Sequence, residues 1–328
     1  IFFIKNIKNV VFLGGIENIE KLVEINKSLN LKTKIVTSKD HVDKFEKETK
    51  IKVFETLNKK FETFITKDFN IEQTLFVSLQ SRWIFKKKQI ESFYKFNLIN
   101  YHPTRLPLYS GGAEVSWEIM RGDRINCQLF HLVNDKVDEG AIIYFEKSIL
   151  PAHVNLPIDF YNISNKGLIS LYKNFVHHLV KNHTFDLHTQ EFYLKNYFPR
   201  LYTKTNGWLD WNMSSLHLVR FINAFDDPHE GASTIIRNKR VYLKKVQLHG
   251  GELPNHPYMS GLVLRNDNDW IVVCTPDENT LIIEEVLNEK NENIIKTIKV
   301  GERFITSHKK LFISKNYRPK IGPRGVEN

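Results

Sequence analysis

Asn100-Tyr101-His102-Pro103-Thr104-Arg105-Leu106-Pro107, followed further along by Asp138-Glu139-Gly140, is the stretch whose reading decides the fold of this 328-residue chain. Asn100 and His102 are two positions apart, so on a strand both side chains leave the same face. Pro103 and Pro107 interrupt regular structure, which sets the pair where a strand opens into a loop. Loops carried on a rigid sheet are where catalytic groups concentrate. An Asn amide offers an N–H donor to a developing oxyanion, and His exchanges a proton near neutral pH. A carboxylate such as Asp138 within reach of the ring would hold the imidazole in one tautomer. On spacing alone, Asn-x-His is common by chance and Asp-x-Gly is usually just a turn, so the plain structural reading is favoured.

Upstream, Asn9 to Gly15 reads as a buried strand ending in a glycine turn, and Ile16 to Leu29 has helical apolar spacing. Lys32 to Thr37 and Thr74 to Leu79 read as further strands. This strand–helix–strand rhythm predicts an α/β fold with a parallel-rich sheet and crossover helices. Gly14-Gly15 lacks a G-x-G-x-x-G continuation and is read as a tight turn. Cys127 to Leu132 and Ala141 to Phe145 flank the Asp138 loop as two neighbouring strands, with His131 directed at the cleft. A helix follows over Asn165 to Lys181, and His177-His178 on it reads as surface. Past Tyr197-Phe198-Pro199-Arg200, Trp208-Leu209-Asp210-Trp211 leads into a helix through Phe225, with Asn212 or Ser214 as N-cap. Asp226 to Ala232 breaks that helix. Short strands at Ser233–Ile236, Arg240–Gln247, Gly261–Leu264, Trp270–Cys274 and Thr280–Val286 predict a small β-barrel or sandwich.

The run NYHPTRLPLYSGGAEVSW, Asn100 to Trp117, closely resembles the folate-dependent formyltransferase family, which includes methionyl-tRNA formyltransferase, glycinamide ribonucleotide formyltransferase and the sugar N-formyltransferases. The family signature is Asn-x-His-x-Ser-Leu-Leu-Pro, a Gly-rich turn, then Asp-x-Gly after an intervening strand. Asn100, His102, Leu106 and Pro107 match it, Gly111 and Gly112 supply the turn, and Asp138 and Gly140 close it. Thr104 replaces the usual Ser and keeps the hydroxyl; Arg105 replaces a Leu and alters the pocket rim. Asp210-Trp211 and Pro228-His229-Glu230-Gly231-Ala232 echo the family's C-terminal region, with one residue more than usual between Pro and Gly. The resemblance therefore implies a Rossmann-like formyltransferase catalytic domain over 1–200 and an OB-like β-barrel domain with a basic tail over 201–328.

The same resemblance implies transfer of a formyl group from 10-formyltetrahydrofolate to a primary amine, with Asn100, His102 and Asp138 as the catalytic set. Protonated His102 would stabilise the oxyanion with Asn100, or His102 would take the amine proton; Asp138 would orient the ring or relay that proton. Ser81, Arg82, Trp83 and Ile84 fall where relatives line the pterin slot, with backbone groups there and before Asp138 meeting the ring edge. The plain alternative for Trp83 and Ile84 is core packing. Thr104, Arg105, Gly111, Gly112 and His131 are the expected substrate contacts; in several sugar enzymes of the family a His stands at the place of His131.

Composition bounds the remaining choices. A hydrophobic fraction of 41% fits a packed globular protein. The sequence has no apolar run of about 18 residues that would cross a membrane. Ile1-Phe2-Phe3-Ile4 is short, with Lys5 close behind, and reads as a strand or a remnant, not a signal peptide. Cys127 and Cys274 form no metal-ligand spacing, so no metal and a reduced, cytoplasmic setting are expected. The formal charge of +10 is spread over Lys-rich surface. It is densest from Lys299 to Arg324, where eight Lys or Arg face the single acid Glu302, a stretch read as a solvated tail. Methionyl-tRNA formyltransferases usually carry a basic, Pro- and Gly-containing insertion after the second strand. Here Thr37 to Phe54 reads TSKDHVDKFEKETKIKVF, with acids and bases mixed, which is poor material for a phosphate contact. The expected acceptor is therefore a nucleotide-linked amino sugar. Initiator methionyl-tRNA is the alternative, on the strength of the basic C-terminal stretch. A nucleic-acid-binding module on a dead scaffold is disfavoured by the intact Asn100, His102 and Asp138. A homodimer is expected only in so far as sugar-modifying relatives often form one.

Overall fold

A computed structural model of the chain describes residues 1–47, 49–250, 255–322 and 325–327. The first part runs β1 (Asn9–Gly14), α1 (Ile19–Ser28), β2 (Lys32–Thr37), β3 (Ile51–Val53), α2 (Lys59–Thr66), β4 (Thr74–Leu79), α3 (Lys87–Ser92) and β5 (Leu98–His102). It continues through the two-residue β6 (Ser110–Gly111), α4 (Glu114–Arg121), β7 (Ile125–Leu132), β8 (Ile142–Ile149) and the long helix α5 (Pro157–Val180). Seven strands form one sheet in the order β3-β2-β1-β4-β5-β7-β8. Pairing is parallel from β3 to β5 and antiparallel from β5 to β8.

β1 and β4 are buried along their whole length, as a parallel strand covered on both faces must be. The two-residue period sorts their side chains between two cores. Val10, Phe12, Leu75 and Val77 pack with Leu168, Leu171 and Phe175 of α5. Val11, Leu13 and Phe76 pack on the other side with Phe61 and Ile65 of α2 and Ile90 of α3. Helix α5 begins at Pro157, earlier than the expected Asn165, because Pro at a first helical position is compatible with the helix and not a breaker. Phe2 is buried and bridges Phe185, and Ile4 is buried as well, so alternate residues of the apolar opening join the core while Ile1 and Phe3 stay exposed.

The second part comprises β9 (Tyr197–Phe198), α6 (Thr203–Asn206), α7 (Ser215–Ala224), β10 (Ala232–Ile236), β11 (Lys239–Gly250), β12 (Val263–Asn266), β13 (Ile271–Cys274), β14 (Asn279–Leu287) and α8 (His308–Asn316). Its antiparallel sheet has the order β10-β11-β14-β13-β12. Arg303 bridges Leu262 beside one edge strand and Ile305 bridges Ile235 on the other, which closes the sheet into a barrel. The stretch read as a solvated basic tail keeps most of its basic side chains exposed but is folded through α8. Lys310 lies 4.3 Å from the Trp208 ring centroid, Lys315 pairs with Asp210 at 3.1 Å, and Arg303 stacks on Tyr258. Arg324 of that stretch lies outside the described residues. Among the described residues no helix is long and apolar enough to cross a membrane.

The two parts share a core. Val115 and Ile119 of α4 pack with Leu218 and Ile222 of α7, and the Ser116 hydroxyl donates to the Ala224 carbonyl at 2.9 Å. Leu218→Ala removes a fully buried side chain there and is expected to cost about 2–5 kcal/mol. Because the core is continuous, calorimetry is expected to record a single unfolding transition; two resolved transitions would contradict it.

Candidate active site

The parallel strands β1, β4 and β5 end on the same side of the sheet, where β5 meets antiparallel β7, and a cleft of about 340 Å³ opens beyond those ends. This is the crevice where open α/β sheets receive ligands. Ser78 lies next to the end of β4, Asn100 stands beside it on β5, and His131 stands opposite Asn100 on β7. All three line the cleft, as do His102 and Asp138.

Hydrogen bonding dictates the tautomer of each imidazole. His131 Nδ1 is 2.8 Å from the Leu132 carbonyl, which only accepts, so Nδ1 carries the proton. Its Nε2 is then a lone pair and accepts from the Asn100 amide at 3.1 Å. Burial, opposed by Asp138 and reinforced by His102, pushes the His131 pKa down to about 4. His131 therefore stays neutral at pH 7 and pins one N–H of Asn100, leaving the other free to point into the cleft.

His102, 3% exposed, is held by different partners. Its Nε2 lies 2.9 Å from the Tyr109 carbonyl and 2.9 Å from the Thr104 hydroxyl, which is itself 3.3 Å from the same carbonyl. Nε2 must carry the proton, and the free lone pair sits on Nδ1. The Asp138 carboxylate is 3.9 Å from that Nδ1 and 3.8 Å from His131 Nε2, beyond a direct hydrogen bond to either. The orienting role expected of Asp138 thus falls to Tyr109 and Thr104. A nitrogen about 2.9 Å from both Nδ1 and the carboxylate would touch them together.

Asp138 is fixed by backbone. Its carboxylate accepts from the Gly111 N–H at 3.0 Å, and the Gln190 amide donates to the Asp138 and Gly140 carbonyls at 2.9 and 2.7 Å. A Cβ at Gly140 would stand 1.7 Å from the Leu132 carbonyl oxygen, so only glycine lets the Asp138 loop cross β7. Gly112 gives similar clearance to Arg200, whose Cγ would lie 2.3 Å from an added Cβ.

Of the expected cofactor residues, Ser81, Arg82, Trp83 and Ile84 all line the cleft. Trp83 is largely core, donating its indole N–H to the Glu55 carbonyl at 3.0 Å, while Ile84 is 74% exposed on the rim. Gly111, Gly112 and His131 line the cleft as well; Thr104 and Arg105 do not. Thr104 is fully buried against His102, and the Arg105 guanidinium turns inward to pair with Asp123. A partly buried ion partner outcompetes the rim position expected for Arg105.

Sequence reading missed Tyr109, Asp123, Gln190 and Arg200, none of which carries a local signal. It also undervalued the loop after β2. There Asp40 binds Arg82 at 2.8 Å, and the partly buried Lys44 donates to Gln80 at 2.9 Å. Burial raises the Asp40 pKa, but the Ser38 hydroxyl and Arg82 outweigh it and hold the carboxylate below its usual range. Lys44 is shifted down by burial and by Arg82. The Asp-x-x-x-Lys spacing was visible, its spatial partners were not. Among the described residues no group of His, Cys, Asp or Glu is arranged to hold a metal.

Residues 8–153 match the formyl transferase family and residues 202–300 match the formyl transferase C-terminal domain, together more than half of the chain. The chain belongs to the formyl transferase family. It is 24% identical over 231 residues to the bifunctional polymyxin resistance protein ArnA of Wigglesworthia glossinidia brevipalpis, covering 66% of this chain and 33% of that protein. It is 25% identical over 221 residues to the methionyl-tRNA formyltransferase of Prochlorococcus marinus, covering 62% of this chain and 65% of the relative. The chain thus spans less than two thirds of the length of these relatives. In fold it is similar to WlaRD, a sugar 3N-formyl transferase solved in the presence of dTDP and 5-N-formyl-THF. The TM-score is 0.62 at 21% identity, over 85% of this chain and 97% of that one. It is also similar to the N-formyltransferase of Helicobacter canadensis in complex with folinic acid and dTDP-3-aminofucose. Here the TM-score is 0.62 at 20% identity, over 85% and 99% of the two chains.

The depressed His131 pKa has a consequence for stability. On acidification the unfolded chain binds a proton at this site near pH 6.5, whereas the folded chain resists until about 4. Stability contributed by the neutral ring is therefore lost between those limits, on the order of 3 kcal/mol over the full window. Urea unfolding at pH 7 and pH 5 is expected to show His131→Asn losing about 2 kcal/mol less than the parent. Equal losses would refute the assignment.

Proposed function

We propose that this chain transfers a formyl group from 10-formyltetrahydrofolate to the primary amine of a nucleotide-linked amino sugar. The observation that carries the reading is the convergence of Asn100, His102 and Asp138 on one cleft at the carboxyl ends of the parallel strands, in a member of the formyl transferase family. The catalytic unit is residues 1–200 and the barrel 201–328, a division supported by separate family matches on either side.

The chemistry follows from the hydrogen bonds. The amine lone pair attacks the formyl carbon, a C–N bond forms, and the carbonyl π electrons move onto oxygen. The free N–H of Asn100, preset by neutral His131, donates to that oxyanion. The His102 lone pair on Nδ1 accepts the amine proton, and the nearby Asp138 carboxylate stabilises the imidazolium. Collapse breaks the bond between the formyl carbon and folate N10, and the proton passes to N10. The sum is a formamide and tetrahydrofolate, with no covalent enzyme intermediate; Cys127 is buried and its thiol is shifted up to about 11 by burial, which suits no nucleophile. Holding both reactants in one cleft removes several kcal/mol of entropic barrier.

The folate pterin is assigned to the slot at Ser81–Ile84, where Asp40 holds Arg82, and the acceptor to the side bearing the Arg200 guanidinium, a group suited to a phosphate. The dTDP and dTDP-amino sugar named with WlaRD and the Helicobacter canadensis enzyme support this class of acceptor. The likeness to methionyl-tRNA formyltransferases keeps tRNA as the alternative.

Tetrahydrofolate release from 10-formyltetrahydrofolate, with nucleotide-linked 3-amino and 4-amino sugars and methionyl-tRNA offered separately, decides between them. Turnover with a sugar alone is expected; turnover with methionyl-tRNA alone overturns the acceptor. Asn100→Ala, His102→Ala and Asp138→Ala are each expected to lower kcat by at least about a hundredfold while folding normally. Full activity in any of them removes that residue from the mechanism.

A further inference from the structure

Arg105, Tyr109 and Asp123 form a partly buried cluster behind the cleft that the chemistry above does not use. Tyr109 is 1% exposed and fixed at both ends. Its phenol donates to Asp123 at 2.9 Å, and its backbone N–H donates to the Arg105 carbonyl at 2.9 Å. The ring stacks on Phe198, with centroids 5.3 Å apart, and under the Arg121 guanidinium. Asp123 is held in turn by the Ile125 N–H at 3.1 Å and by the Arg105 guanidinium. Burial raises the Asp123 pKa, but these donors outweigh it, so the carboxylate is charged at neutral pH. Its neighbour Glu118, 3% exposed, is pushed up to about 9 by burial and by Asp123 and Glu114, so Asp123 carries the anionic charge opposite Arg105.

We infer that Asp123 is a positioning residue for His102, acting through Arg105 and Tyr109. The cluster anchors the Tyr109 carbonyl where the imidazole Nε2–H must donate to it, and this keeps the Nδ1 lone pair facing the Asp138 side of the cleft. This inference rests on the proposed role of His102 and extends it to residues that touch neither reactant. Asp123 does not line the catalytic cleft; it borders a separate cavity of about 470 Å³ against α7 and β11. Its influence on the reaction therefore passes through Tyr109. The Thr104 hydroxyl binds the same carbonyl and the same ring nitrogen, so it is the second point of the brace. A carbonyl cannot donate, so one correctly placed acceptor selects one imidazole tautomer. If the brace is cut, Tyr109 is free to shift its carbonyl, and the ring populates the tautomer with the proton on Nδ1, where it cannot act as a base.

The test joins two readouts. Nitrogen-15 spectra of the histidine side chains are expected to show His102 protonated on Nε2 alone in the parent. In Asp123→Ala and Tyr109→Phe the Nδ1-protonated form is expected to appear. Tyr109→Phe keeps the ring stack and the backbone carbonyl, so it remains informative if Asp123→Ala folds poorly. Steady-state kinetics with the active acceptor are expected to show kcat down about tenfold in each variant with both KM values unchanged, since neither residue touches a reactant. Asp123→Asn, which retains an acceptor for the Tyr109 phenol, is expected to recover part of that loss. The inference is overturned if His102 keeps its tautomer and kcat in Tyr109→Phe, or if the parent carries the proton on Nδ1. The spectra need no substrate, so a wrong acceptor or activity would leave the brace still tested.

Discussion

The register of β5 between its two neighbours is the constraint on which the site depends. β5 pairs parallel with β4 and antiparallel with β7, so Asn100 lies beside Ser78 on one side and opposite His131 on the other. A slip of one residue would turn Asn100 and His102 to the opposite face of the sheet. It would also bury their polar atoms on the α5 side, among Val10, Phe12 and Val77, without partners. The strongly buried β1 and β4, packed by helices on both faces, make such a slip costly and hold the register.

Two histidines near the same carboxylate are kept distinct by backbone carbonyls. The Leu132 carbonyl accepts from His131 and so keeps its proton on Nδ1, and the Tyr109 carbonyl accepts from His102 and keeps its proton on Nε2. The first leaves an acceptor that orients an amide; the second leaves a base that faces the cleft. Asp138 sits between the two, 3.8 and 3.9 Å away, and is itself pinned by the Gly111 N–H and by the Gln190 clamp on its loop. Both imidazoles and the carboxylate are thus held by atoms of the main chain, which do not move without moving the fold.

Much of this was legible along the chain. The alternation of strand and helix, the Asn-x-His pair at a strand end, the Asp-x-Gly loop and the short strands of the barrel all follow from local periodicity and turn chemistry. The glycines at 111, 112 and 140 were legible as turn residues. Why each had to be glycine was not, because the obstacles are Phe198, Arg200 and Leu132, which come from other elements. The basic stretch after Lys299 keeps most of its charges in solvent, but it is a folded segment and not a tail, because local charge density says nothing of the Trp208 and Asp210 it packs against.

The sequence by itself determined which residue types were at hand and their period, and hence the doubly covered sheet, the barrel and the presence of an amide, an imidazole and a carboxylate for one site. Only the tertiary structure decided which nitrogen of each imidazole carries its proton, that Asp138 stands off from His102, and that Arg105 turns inward to Asp123. It alone joined Asp40 to Arg82 and Gln190 to the Asp138 loop. The reason is physical: periodicity and turn preference are properties of neighbouring residues. Hydrogen-bond partners, desolvation and steric clearance depend on atoms that the fold brings together from distant parts of the chain.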